Sequence, residues 1–206
     1  MTYKPDSNVR WIVQHYSATP IERDFTAADI DAMHRVRGFR EIGYHYFIRK
    51  SGEVETGRDL SQPGRFETGA HSQGENSASV GICLEGGVTL AAPNAGVDNR
   101  TPAQIKAQVA LIRELLVRFP NAKVEGHRDM PGAATQCPGY DAAAWWAGVA
   151  HKAHTAPVAP VLAPSTQTGG LGQQSAPPAS LTAAPDDFLT RWGKFILSWF
   201  IKRGSK

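Results

Sequence analysis

Two neighbouring segments leave this chain few folds. Ser79 to Leu84 is a short apolar run closed by Gly86-Gly87, the pattern of a central strand. Further on, Thr101 opens the clearest helix of the sequence. Pro102 takes the first helical position, where its missing N–H costs nothing, and Gln104 completes a T-x-x-Q capping box. Ile105, Val109, Ile112, Leu116 and Phe119 then recur at spacings of three and four, so this helix has one apolar face to bury. A central strand needs covering and a one-sided helix needs a surface to cover, so the pair predicts helices packed on a sheet.

The other elements of the first 150 residues follow the same grammar. Trp11-Ile12-Val13-Gln14-His15 reads as a strand, and Thr26 to about Arg37 as a helix with Thr26 at its N-cap. Tyr44 to Arg49 is aromatic and β-branched, and Ser51-Gly52 before Val54 signals a hairpin. Ala122 to Glu125 reads as a short strand. Asp141 to Ala150, with Trp145 and Trp146, reads as a last helix. This interleaving predicts an α/β domain: a central mixed β-sheet covered by helices.

Composition changes after residue 150. The chain of 206 residues is 41% hydrophobic, enough for a domain over 1–150 to bury a core without staples. Residues 151–185 are rich in Pro, Ala, Ser, Thr, Gly and Gln and nearly uncharged, the make-up of a flexible, partly extended linker. Residues 186–206 regain helical periodicity. Phe188, Leu189, Trp192, Phe195, Ile196, Trp199 and Phe200 form one stripe, with Arg191, Lys194 and Lys202 mostly off it. This segment holds five bases and two acids, the whole of the net charge of +3; the rest of the chain holds 17 of each. The basic balance is therefore no sign of a nucleic-acid partner. It predicts a cationic amphipathic helix that lies on an anionic membrane surface through residues 186–202, with docking on protein as the competing reading. The polar N-terminus MTYKPDSNVR lacks an apolar h-region, and no run approaches 18 apolar residues, so neither a secretory signal nor a transmembrane helix is expected.

Seven histidines and two cysteines raise the question of a metal. Cys83 and Cys137 alone make no disulfide framework. His34 in a helix, and His151 and His154 beside the linker, read as surface or packing residues. His45 follows Tyr44 in a strand, so alternation points it to the opposite side, and it reads as structural. Cys83 lies inside an apolar strand and reads as core. His15, His127 and Cys137 are different. His15 ends a strand, His127 follows Gly126 just past another, and Cys137 stands ten residues later before Pro138-Gly139. Strand ends can aim ligands into a cleft. Two imidazoles and a thiolate would give zinc three protein ligands and an open fourth position, the mark of a catalytic site. Spacing alone does not decide this, because unrelated His and Cys residues could be scattered the same way. The C-x-x-C and H-x-E of the zinc nucleobase deaminases are absent, which excludes that chemistry.

Five segments stand in order between about Arg10 and Trp146. They are I-V-Q-H-Y-S-A-T-P around His15; I-G-Y-H-Y-F-I-R-K-S-G around Tyr44, with E-T-G-R after the hairpin; G-A-H-S-Q-G-E-N-S-A-S-V-G-I-C-L-E-G-G from Gly69 to Gly87; G-H-R-D at 126–129; and T-Q-C-P-G at 135–139. Together they resemble the type-2 N-acetylmuramoyl-L-alanine amidases, in particular the short phage endolysin amidases and, more distantly, the animal peptidoglycan recognition proteins. The resemblance implies a zinc enzyme (Zn2+) that cuts bacterial peptidoglycan between N-acetylmuramic acid and L-alanine. It makes His15, His127 and Cys137 the zinc ligands. Tyr44 matches the family's catalytic tyrosine. Thr135 matches a catalytic position held by lysine in some phage enzymes and by threonine in other members; here it brings a hydroxyl and no charge. His71 and Asn76 match a loop beside the cleft, where they either touch substrate or simply form the loop. Asp129 either orients a ligand or shapes a turn.

The chemistry implied is amide hydrolysis. Zinc polarises the carbonyl and lowers the pKa of a water toward about 7, while the hydroxyls of Tyr44 and Thr135 stabilise the developing oxyanion. The group that protonates the leaving amine is not named by the sequence; Glu125 is near in sequence, with its direction open. Two other functions stay in view: a non-catalytic peptidoglycan-binding module, disfavoured by the presence of both Cys137 and Tyr44, and a bacterial wall-recycling amidase. Without a signal, synthesis is expected in the bacterial host cytoplasm, with action at the cell wall after release. A monomer is expected.

The division into domain, linker and helix generates a first test. Truncation after Ala184 is expected to leave hydrolysis of purified peptidoglycan nearly intact and to reduce binding to anionic vesicles. The bases are drawn to anionic lipid and Trp192 and Trp199 settle at the headgroup boundary. Co-sedimentation of full-length and truncated protein with vesicles reads this out; equal binding by both would make a docked helix the better reading.

Overall fold

In the computed structural model, which describes residues 1–155, the strand at Ser79–Leu84 is buried at every position and stands in the middle of a five-stranded sheet. In chain order the elements are β1 (Tyr3–Pro5), β2 (Trp11–Tyr16), β3 (Thr19–Pro20), α1 (Ala27–Val36), β4 (Tyr46–Ile48), β5 (Val54–Thr56), β6 (Arg65–Glu67), β7 (Ser79–Leu84), β8 (Gly87–Val88), α2 (Pro102–Arg118), β9 (Lys123–Gly126) and α3 (Ala142–Thr155). The main sheet runs β5-β4-β7-β2-β9. β4, β7, β2 and β9 are parallel neighbours, and β5 folds back antiparallel on β4 as the hairpin requires. The sheet is thus mixed, as expected. Two small pairings, β1 with β6 and β3 with β8, have two or three residues per strand, too few to leave a readable period.

Alternation along the strands sorts the two faces of the sheet. Ile12 of β2, Ile48 of β4, Val80 and Ile82 of β7 and Val124 of β9 join one core cluster with Leu111, Ile112 and Leu115 of α2 and Phe119 beyond it. Trp145 and Trp146 of α3 pack on the same cluster. Val13, His15 and Cys83 alternate to the other face, where the register pairs Val13 with Gly81 and His15 with Cys83. One face therefore carries the main core cluster, and the other carries His15 beside buried Val13, Phe47 and Cys83. Met1–Lys152 form one compact unit. Among the described residues no helix is long and apolar enough to cross a membrane.

α2 begins where its capping box predicts. Thr101 Oγ1 accepts from the Gln104 N–H at 3.0 Å, and the Gln104 side chain accepts from the Thr101 N–H at 3.0 Å. Its buried face overlaps the one predicted by the apolar spacing, at Ile112 and Phe119, but is turned from it. Gln104, Gln108, Leu111, Ile112 and Leu115 are buried, whereas Ile105, Val109 and Leu116 are only partly so. The helix is turned because both glutamines find partners inside. Gln104 Nε2 donates to the carbonyls of Ile48 at 3.1 Å and Glu85 at 2.9 Å. Gln108 Nε2 donates to Gln14 Oε1 at 2.6 Å and to the Tyr140 hydroxyl oxygen at 2.7 Å. A buried polar group is tolerated when it is hydrogen-bonded, and these two hold the helix to β2, β4 and β7.

α3 continues past residue 150 to Thr155, so the first residues of the expected linker belong to the helix. His151 to Thr155 contain no Gly or Pro to stop the helix, and Pro157 is the first proline after it in the sequence. The remainder of the expected linker, and the amphipathic helix expected over 186–206, lie outside the described residues.

The Gln104 contacts give a stability test. Gln104→Met keeps the length of the side chain and takes the donor from the buried Glu85 carbonyl, while the Ile48 carbonyl keeps the Glu85 N–H at 2.9 Å, so unfolding free energy is expected to fall by about 1–3 kcal/mol. Urea denaturation measures it; an unchanged midpoint would show that the Glu85 carbonyl finds another partner.

Candidate metal centre

Parallel strands end at a common edge, and that geometry assembles the site. His15 is the last residue but one of β2, and His127 follows the last residue of β9. Because β2 and β9 run parallel, both imidazoles reach the same edge. Cys137 arrives there by a loop stitched to both strands. Arg128 N–H donates to the Cys137 carbonyl at 2.7 Å, and Tyr16 N–H donates to Cys137 Sγ at 3.3 Å. The ligand atoms of His15, His127 and Cys137 all lie within 4.8 Å of one another, and these three are the metal-competent group among the described residues. Cys137 Sγ stands 3.7 Å from His15 Nδ1. Nitrogen and sulfur sharing a tetrahedral zinc at bond lengths of about 2.05 and 2.3 Å are separated by roughly 3.6 Å, so the spacing fits.

The protonation states fit as well. Burial, and then the neighbouring His71 and His127, hold His15 well below the ordinary histidine range; burial lowers His127 too. Both are neutral imidazoles with a lone pair to offer. Burial pushes the Cys137 thiol up to about 12, opposed by the Tyr16 N–H. A metal must therefore expel the thiol proton on binding, while the same N–H stands ready to stabilise the thiolate.

Tyr44 borders this cluster. Its ring centroid is 5.1 Å from that of His15 and 5.4 Å from that of His34. Burial first, and then the thiols of Cys83 and Cys137, raise Tyr44 well above the usual tyrosine range, so its hydroxyl keeps its proton and can donate. Cys83 is buried core, as expected, but its place opposite His15 also makes its thiol a hydrogen-bonding neighbour of Tyr44. That contact follows from strand register, which the sequence does not state. Thr135 lies two residues from Cys137, and its Oγ1 accepts from the Cys137 N–H at 3.1 Å. Its own hydroxyl proton is not used in that bond.

The loop residues make the contacts of the loop-forming reading. Asn76 Oδ1 accepts from the N–H groups of His71 at 2.8 Å and Ser72 at 2.9 Å, which folds the loop back on itself. His71 is buried, and its Nδ1 lies 3.0 Å from His15 Nε2. Asp129 shapes a turn, accepting from the Gly126 N–H at 3.2 Å. His45 is structural, although not by strand alternation, because β4 begins only at Tyr46. Its Nδ1 accepts from the Gly81 N–H at 3.0 Å, and its Nε2 donates to the Glu67 carbonyl at 2.8 Å. His34 is a packing residue whose Nδ1 accepts from the Gly43 N–H at 2.9 Å. Glu125 pairs with Val13 in register and so lies on the His15 face; burial, then Asp129, raise its carboxyl.

Comparison with known proteins agrees with this geometry. Residues 5–140 match the family model described as N-acetylmuramoyl-L-alanine amidase. The endolysin of Klebsiella phage KP32 is 39% identical over 136 residues, covering 66% of this chain and 83% of that one. The endolysin of Enterobacteria phage T3 is 32% identical over 145 residues, covering 70% and 89%. Among solved structures, the N-acetylmuramoyl-L-alanine amidase LysC from Clostridium intestinale URNW aligns with a TM-score of 0.57 at 28% identity, over 75% of this chain and 91% of that one. The match takes in the whole sheet and all three ligand segments, and the chain belongs to the N-acetylmuramoyl-L-alanine amidase family and is a peptidoglycan hydrolase.

Proposed function

We propose that the amide between N-acetylmuramic acid and L-alanine is hydrolysed at a zinc ion held by His15, His127 and Cys137. The observation that carries this reading is the convergence of those three side chains, from β2, the end of β9 and the following loop, with ligand atoms within 4.8 Å and Tyr44 beside them. When bound, zinc supplies Lewis acidity that polarises the scissile carbonyl and makes a water nucleophilic at neutral pH. The protein's own groups do the rest. The protonated Tyr44 hydroxyl donates to the carbonyl oxygen as negative charge develops on it. Thr135, held beside Cys137, offers a second hydroxyl for the same oxygen. His15, His127 and Cys137 would hold the zinc, and it would supply this Lewis acidity beside Tyr44 and Thr135.

A binding module without catalysis needs neither a buried thiol among the ligands nor a protonated tyrosine beside them, and both are in place here. The phage endolysins among the relatives favour a lytic enzyme over one that recycles wall fragments. On this reading the protein acts as a monomer, made in the host cytoplasm and reaching the wall after release, and residues 186–202 meet the anionic membrane surface.

Two substitutions test the roles. Purified protein is expected to carry about one zinc per chain. Cys137→Ser is expected to lose zinc and hydrolysis together, as followed by metal analysis and clearing of purified walls; full activity at trace zinc would remove Cys137 from the ligand set. Tyr44→Phe deletes only the hydroxyl. Its turnover is expected to fall by about 10²-fold or more, with zinc content and folding unchanged. An unaltered rate would take Tyr44 out of the mechanism.

A further inference from the structure

His15 has two ring nitrogens, and a metal ligand must present one of them without a proton. Nδ1 faces Cys137 Sγ at 3.7 Å, on the side where the three ligand atoms converge. Nε2 points the other way and meets His71 Nδ1 at 3.0 Å, well inside hydrogen-bond distance. Two imidazole nitrogens in contact share one proton. If His15 holds it on Nε2, its Nδ1 lone pair is free for a metal; if His71 holds it on Nδ1, His15 carries its own proton on the metal side and cannot bind. The other ring nitrogen, His71 Nε2, is buried without a hydrogen-bond partner of good geometry.

The fold makes room for the His71 ring. A Cβ added at Gly69 would stand 2.4 Å from His71 Cδ2, and one at Gly81 would stand 2.7 Å from Cδ2 and Cγ. The ring is seated against two backbone stretches where no side chain projects. One of them, Gly81, is in the middle of β7 on the strand next to His15. The backbone N–H of His71 is held by Asn76 Oδ1 at 2.8 Å, so its backbone and its ring are both fixed. These contacts immobilise a buried imidazole behind the first metal ligand.

We propose that His71 is the positioning residue of the metal centre: its Nδ1 accepts the Nε2–H of His15, fixing the tautomer and ring direction that present His15 Nδ1 to the metal. This rests on the assignment of His15, His127 and Cys137 as ligands. Outer hydrogen bonds to ligating imidazoles typically govern metal affinity by 10- to 100-fold.

Three measurements test it. Long-range 1H–15N correlation spectra of the metal-free full-length protein, labelled at histidine, read the tautomers directly. His15 is expected with its proton on Nε2 and His71 with its proton on Nε2; a proton on His15 Nδ1 or His71 Nδ1 overturns the proposal without any variant. Next, His71→Leu and His71→Asn have side chains of nearly equal size, and only asparagine can accept a hydrogen bond. Zinc affinity, measured by competition with a chelator, is expected to fall about 10- to 100-fold in the leucine variant and to recover to within a few fold of the parent in the asparagine variant. Equal affinity in leucine variant and parent, or equal losses in both variants, overturns the proposal. His15→Ala serves as the control for the underlying assignment. If it binds zinc as the parent does, the ligand set itself is wrong, and the proposal falls with it. If it loses zinc while His71→Leu does not, the ligand set stands and only the role of His71 is lost.

Discussion

The parallel alignment of β2 with β7 and β9 is the constraint on which the rest of this structure depends. It brings the C-terminal ends of three strands to one edge, with His15 opposite Cys83 and with His127 just beyond β9. Open α/β sheets bind ligands at that edge because the loops there diverge. A one-residue slip of β2 would turn His15 into the hydrophobic core and Gln14 toward the site. The register is held by the core face, where Ile12 packs with Val80, Ile82 and Val124 under α2. Hydrophobic packing on one face therefore positions a ligand on the other.

Cys137, the third member of the cluster, is not on a strand, and its loop is anchored by polar contacts. Gln108 on α2 joins Gln14 of β2 to the hydroxyl of Tyr140, three residues beyond Cys137. Arg100 donates to Gln108 Oε1 at 2.9 Å and stacks its guanidinium 3.4 Å from the centroid of the Tyr140 ring. The segment bearing Tyr44 is handled the same way. Gly43 N–H is held by His34, and His45 beside Tyr44 holds the Gly81 N–H and the Glu67 carbonyl. Burial drops both histidines to about 4, so they serve as neutral hydrogen-bonding groups. Three buried imidazoles thus frame the site without binding a metal: His34 and His45 behind the tyrosine, His71 behind His15.

Much of this could be read from the chain itself. The capping residues Thr26 and Thr101 start α1 and α2 where their local hydrogen bonds dictate, because capping is a matter of three or four consecutive residues. Strand ends and punctuating residues single out His15, His127 and Cys137, but it is the resemblance of the segments around them that groups them as ligands. The turn of the buried face of α2 was not legible, since Gln104 and Gln108 count as polar in any periodicity while their partners, Ile48, Glu85, Gln14 and Tyr140, are distant in sequence. His45 has the structural role expected of it, through its hydrogen bonds rather than through alternation, because β4 starts one residue later. The partnership of His71 with His15, 56 residues away, is a tertiary contact that no local pattern encodes.

If the edge formed by β2, β9 and the Cys137 loop is a metal-dependent amidase centre, amide cleavage requires the metal. This requirement is tested most directly by mass spectrometry of peptidoglycan digested by the protein after chelation and after zinc is restored. The account predicts no products from the chelated protein. With zinc it predicts stem peptides that begin at a free L-alanine amine, and glycan chains that keep an unsubstituted lactyl carboxylate. Cleaved glycosidic bonds with peptides still attached, or the same products with and without zinc, would contradict it.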